Sequence, residues 1–209
     1  AVSRALILLL LALRAEPARY TLDAIRLRAT VALPAQQREL SIRLEGAPAL
    51  RATLLYDAGR AHLAFRDALG VRGPTLRMAD GMLGFTDATT TWLAPDAVEG
   101  VRLLLGDDVT PAQLVDLALG RAPEGAWSRV PAGAEVRSGG LVARVDREGR
   151  LQAATAGALE LAFADGAVTV RRRSLEARVE LGAPTYREVP EQAFALTDGR
   201  VVWVGSSDR

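Results

Sequence analysis

The chain has no cysteine and one histidine, and aromatic residues make up only 5% of its 209 positions. Lysine and asparagine are missing too, so all 26 basic residues are arginine. Without cysteine there can be no disulfide, thiolate zinc centre, iron–sulfur cluster or cysteine nucleophile. The lone histidine, His62, excludes a zinc site built from several histidines and leaves little material for a serine–histidine triad. The 26 basic residues face 25 acidic ones, whereas nucleic-acid binding needs a clustered cationic surplus. These absences predict a protein that is not an enzyme and that takes no cofactor, no metal and no nucleic acid.

What is present is mostly aliphatic. Hydrophobic residues make up 49% of the chain, and the length suits one domain of about 150–200 residues. Arg4, an unbroken apolar run over 5–13 and the small Ala15 have the layout of a secretory signal peptide. The run is too short for a bilayer span, which needs about 20 residues; a buried first helix is the alternative. Residues 1–15 are therefore expected to be a leader and 16–209 a single domain, with export to a bacterial periplasm or outer envelope.

Beyond residue 25 the pattern has period two. Ile25, Leu27, Ala29, Val31 and Leu33 alternate with Arg26, Arg28, Thr30 and Ala32; Leu40, Ile42 and Leu44 alternate with Ser41, Arg43 and Glu45. Such alternation predicts strands with one apolar face and one arginine-rich face. Further strands are expected at 50–57, 60–67, 75–79, 82–86 and 90–93, separated by turn chemistry at 46–48, 57–59, 73–74 and 80–81. Asp80-Gly81 is a tight-hairpin signal.

The period changes after Pro95, where residues 96–106 have helical spacing. Thr110 then reads as an N-cap, with Pro111 in the first turn and Gln113 closing a capping box. Leu114, Leu117 and Ala118 share a face of that second helix, and Gly120 ends it. Strands resume at 141–147, 151–155, 159–164, 168–172, 175–181, 193–196 and 201–204. The resulting fold is mainly β (α+β), a meander of about eleven antiparallel strands that must roll up to bury its apolar face. Two helices inserted midway would cover the open side, giving an incomplete barrel with a helical plug or lid.

This order of elements resembles the LolA/LolB superfamily of bacterial lipoprotein carriers and receptors. Residues 79–85 through Leu93-Ala94-Pro95 look like that family's Asp-Gly strand and following loop. Residues 109–123 resemble the LolB-type helix that ends Leu-Gly-x-Pro, and Val189-Pro190 with Phe194-Ala195-Leu196 is similar to the closing segment. Ala68-Leu69-Gly70 falls where LolB-like proteins carry a Leu-Gly hairpin tip. The likeness runs over about 23–204 and lies in the order of the motifs, each of which is common by itself.

In that family the inner face of the half-barrel holds lipoprotein acyl chains and passes them towards the outer membrane. The resemblance therefore implies a carrier of lipoprotein acyl chains or lipid, at the periplasmic face of that membrane. Its lining and lid would come from Leu27, Val31, Ile42, Leu54, Leu63, Phe65, Phe85, Leu103, Leu104, Leu114 and Leu117, with Leu69 and Val71 as a membrane-touching tip. An apolar concavity favours alkyl chains by about 0.8 kcal/mol per methylene. Two features depart from the family. LolB-like receptors carry a lipidated cysteine after the leader, whereas Glu16 stands here, which points to a soluble carrier or an unusual paralogue. Family cavities are also richer in aromatics.

Each feature has a plainer alternative. The Leu69 hairpin could fold back on the core, and the lid leucines could be ordinary helix-to-sheet packing. His62 is out of phase with Ala61, Leu63 and Phe65 and is expected on the polar surface. Asp107-Asp108 suits the approach to a helix, where negative charge is favoured. Arg171-Arg172-Arg173 reads as turn charge or a lipid-headgroup contact, and Ser138-Gly139-Gly140 lacks the strand-to-helix setting of a phosphate loop. Two further functions remain open: an envelope interaction module of the same fold with a filled core, and a carboxylate hydrolase using Asp80, Asp87 or Asp107. The hydrolase would need two carboxyls converging in a cleft.

Overall fold

The computed structural model describes residues 20–67, 69–105, 109–196 and 200–204, with only the backbone described at 103–105. The expected leader, and Asp107 with Asp108, lie outside the described residues. The first meander comprises β1 (Gln36–Leu44), β2 (Leu50–Asp57), β3 (Arg60–Arg66), β4 (Arg72–Ala79), β5 (Met82–Asp87) and β6 (Thr90–Ala94). The second comprises β7 (Ala126–Val130), β8 (Gly133–Ser138), β9 (Leu141–Asp146), β10 (Leu151–Ala156), β11 (Leu159–Ala164), β12 (Ala167–Arg172) and β13 (Leu175–Leu181). Helix α1 (Leu22–Ala29) precedes the sheet, and α2 (Ala97–Leu105) and α3 (Pro111–Ala118) separate the meanders. Short strands β14 (Thr185–Tyr186) and β15 (Arg200–Trp203) close the chain.

Among the described residues, fifteen strands belong to one sheet, ordered β15-β6-β5-β4-β3-β2-β1-β13-β12-β11-β10-β9-β8-β7, with β14 paired to β1. The antiparallel β1–β13 pair, Leu40 opposite Leu181 and Ile42 opposite Val179, welds the meanders together. The sheet does not close, since β15 and β7 are its two edges. The architecture follows the expectation of an open, mainly antiparallel sheet with a few helices. The count exceeds eleven, and β7, β8 and the two-residue β14 are strands that the alternation did not mark. The chain is also not wholly antiparallel, as β15 runs parallel to β6. Asp80 and Gly81 both take positive φ (51° and 75°), the hairpin turn their pairing predicted.

Residues 22–29 are helical, where a strand over 25–33 was expected. Thr21 caps the helix by accepting from Ala24 N, with Asp23 in its first turn and Arg26 and Arg28 in its last. Its buried stripe is Ile25 and Ala29, four residues apart, a spacing that fits period two and a helix equally well. Helix α1 lies on the inner face of the second meander, in a core with Val136, Leu141, Ala143 and Val145. Gly149 admits it: a Cβ there would stand 2.8 Å from Arg28 Cβ. The Arg28 guanidinium donates to the carbonyls of Arg147 and Glu148 at 2.7 and 3.1 Å.

The C-terminal segment packs on the opposite, convex face of the first meander. Residues 193–196, expected as a strand, include the end of a 3-10 turn (Glu191–Phe194). Val189, Phe194 and Leu196 form a core there with Ala79 and Leu93. Arg60 fastens this strap: its guanidinium lies 4.6 Å from the Phe194 ring centre and pairs with Glu191 at 3.0 Å. His62 points to that same convex face, as its phase predicts, yet it is half-buried with both ring nitrogens enclosed rather than at the surface. The covering strap is what the alternation alone could not show.

Candidate functional site

Cross-strand register fixes one apolar face across the sheet. Leu54 stands opposite Leu63, Leu63 opposite Leu76, and Leu76 opposite Phe85, all on the concave side. On the second meander Leu161 faces Val170, Phe163 faces Val168, and Val168 faces Val179. Helix α3 lies over this surface. Its capping box is as predicted: Gln113 N donates to Thr110 Oγ1 at 3.3 Å and Thr110 N donates to Gln113 Oε1 at 2.7 Å. The Gln113 amide also donates to Ser138 O and Oγ at 2.9 and 3.0 Å, tying the start of α3 to the end of β8. Gly120, at φ 78°, ends the helix.

Two apolar cavities flank α3 and share Leu114 and Ala118. The first, of 140 Å³, is lined by Leu54, Leu63, Leu76, Met78 and Leu83 from the first meander and by Val101 of α2. The second, of 250 Å³, is lined by Leu117, Leu159, Leu161, Phe163, Val170 and Leu181, among others. A polar basin of 690 Å³ adjoins the second at Phe163 and Leu181. In it Arg150 pairs with Asp146 at 3.0 Å and with Glu148 at 3.7 Å. Arg38 also projects from the concave face of β1, opposite Leu54, and donates to Gln36 Oε1 at 2.9 Å. Burial holds its pKa below the ordinary guanidinium value.

The expected lining residues divide accordingly. Leu54, Leu63 and Leu114 meet in the first cavity, and Leu114 and Leu117 in the second. Ile42 and Phe65 pack on the same concave face without lining either space. Phe85 stacks against Trp92, ring centres 5.7 Å apart. Leu27 and Val31 are corrections: because 22–29 is helical, Leu27 turns to solvent at 71% exposure and Val31 follows the helix at 51%. Leu103 and Leu104 fall on α2, their side chains outside the described residues. Ala118 and the β11–β13 residues were missed as lining, although their spacing was visible. Among the described residues no group of three or more histidine, aspartate or glutamate side chains could hold a metal, and no helix is long and apolar enough to cross a membrane.

The hairpin between β3 and β4 projects from one end of the sheet. Asp67 shapes it, its Oδ1 accepting from Leu69 N at 2.9 Å and Val71 N at 2.8 Å. Leu69 is 89% exposed and Val71 61%, so neither folds back on the core.

An open sheet rolled around a central helix has a counterpart among solved structures. A LolA superfamily protein from Nitrosomonas europaea superposes with a TM-score of 0.55, covering 84% of this chain and 97% of its own, at 11% identity. The fold is LolA-like. An uncharacterized conserved protein from Thermus thermophilus aligns over 88% of this chain and 97% of its own, with a TM-score of 0.41 and 12% identity. No family model matches the chain, and no curated protein is similar to it in sequence.

Proposed function

We propose that this chain binds acyl chains of lipids or lipoproteins in the concavity beneath α3 and delivers them at a bacterial outer membrane, without catalysis. The observation that carries the reading is the pair of aliphatic cavities that share Leu114 and Ala118 as lining. Each is smaller than the ~300 Å³ at which ligand pockets begin, and together they reach it. Shifting α3 outward would join them, and each methylene buried there gains about 0.8 kcal/mol. The polar basin beside Phe163 and Leu181 gives a headgroup a place to remain in water. Export to the periplasm and membrane contact through Leu69 and Val71 are parts of the same proposal.

The smallness of each cavity also favours a second reading, a non-catalytic envelope module whose own side chains fill the concavity. Native mass spectrometry with lipid extraction, on protein purified without detergent from a bacterial periplasm, separates the two. A diacyl or triacyl species near one per chain is the expected result. A clean apo mass that persists after incubation with fatty acid or lipopeptide would overturn the carrier reading in favour of the filled core.

A further inference from the structure

The convex face near the β3–β4 hairpin carries a row of three arginines with no acid between them, unlike the opposed Arg43 and Arg178, which share Glu180. Arg51 of β2 stands directly opposite Arg66 of β3, and Arg66 directly opposite Arg72 of β4. Like charges directly opposed across strands are destabilising. None of the three has an ion-pair or hydrogen-bond partner among the described residues, and all are exposed. Elsewhere on the convex face arginines are matched: Arg43 with Glu180 at 3.5 Å, Arg137 and Arg144 with Glu135 at 3.0 and 3.2 Å, Arg171 with Glu176 at 2.8 Å. Asp67, next to Arg66 in sequence, accepts the hairpin amides of Leu69 and Val71 through Oδ1.

The row is built by an irregularity. Between the Ala64–Thr75 and Arg66–Arg72 pairs the register shifts, β4 holding one residue more than β3. In regular pairing Gly73 would face Arg66, and Arg72 would turn to the concave side. The bulge, which also accommodates Pro74 within a strand, turns Arg72 outward to extend the row. Leu69 and Val71 project immediately beyond it. An apolar tip edged by uncompensated guanidinium groups matches a bilayer rich in anionic phospholipid, with acyl chains for the tip and phosphates for the arginines.

We infer that Arg51, Arg66 and Arg72 bind the phosphates of an anionic phospholipid surface while Leu69 and Val71 enter it. This deepens and rests on the membrane-contact part of the function proposed above. The phosphates relieve the repulsion within the row, so the protein distinguishes anionic from neutral membranes. Near such a surface each arginine contributes about fivefold to partitioning, or roughly 100-fold for the three together.

The test is co-sedimentation with vesicles of phosphatidylcholine alone or mixed with phosphatidylglycerol, at low and high salt. The intact chain is expected to prefer the anionic vesicles strongly and to lose that preference at high salt. The triple variant Arg51→Gln/Arg66→Gln/Arg72→Gln should retain only its weak binding to phosphatidylcholine, with its thermal midpoint unchanged or raised because like-charge repulsion is gone. Leu69→Glu should weaken binding to both. Equal binding of the intact chain to the two vesicles, or a triple variant that keeps the anionic preference, overturns the arginine assignment and leaves membrane contact standing. No binding to either vesicle overturns both.

Discussion

Glu135 shows how much one side chain can organise on a solvated face. Its carboxylate accepts from Arg137 Nε at 3.0 Å on its own strand and from Arg144 Nε at 3.2 Å on the neighbouring one. Hydrogen bonding by these two guanidinium groups, Arg137 first, lowers its pKa below the ordinary glutamate value. A depressed folded-state pKa means the unfolded chain takes up the proton first. The stabilisation is present above the unfolded pKa and is lost as pH falls through the folded one. Asp116 of α3 has the opposite slope. Burial raises its carboxyl pKa although Arg121 opposes the shift, so its contribution is full below the unfolded pKa and lost as pH rises through the folded one. Urea midpoints measured against pH for the intact chain and Glu135→Gln isolate the first effect. The variant should be less stable at neutral pH and should converge with the intact chain in acid; a gap independent of pH would contradict the assignment.

At the scale of elements, α3 depends on one residue for two attachments. Gln113 closes the capping box through Oε1 and anchors the helix to Ser138 through Nε2. Gln113→Ala should therefore cost about 1–3 kcal/mol, more than Thr110→Ala, which removes only a cap worth about 1 kcal/mol. Denaturant unfolding of the two variants checks the order, and equal losses would show that the Ser138 bonds add nothing. The cap was legible in Thr110-Pro111-Ala112-Gln113 because it is local chemistry. The anchor was not, because it joins residues 25 apart in sequence. The same distinction explains α1: Ile25 and Ala29 fit either period, and only packing against the β9–β10 turn decides between them. Gly73-Pro74 read as a turn for a related reason. A bulge inside a strand uses the same residue types, and only the partner strand shows which is present.

For the whole molecule, storage space and core beneath α3 make opposite predictions. The strand pattern revealed an apolar inner face, and most of the sheet was readable from it. It could not reveal how far α3 stands off that face, because aliphatic lining and aliphatic core have the same composition. Ala118 is the position that separates them, being small, half-buried and common to both cavities. In a carrier, Ala118→Phe puts the ring where a ligand chain would lie. Binding of a fluorescent fatty acid should fall at least tenfold while the thermal midpoint holds or rises, since the ring fills a void. In a filled core the same ring overpacks, and stability should drop by about 1–3 kcal/mol with no fatty-acid binding in either protein. The sign of the stability change therefore reports on the cavity independently of the ligand chosen. A destabilised variant, paired with an intact chain that binds no acyl probe, would reassign this LolA-like sheet from carrying lipid to presenting its surface.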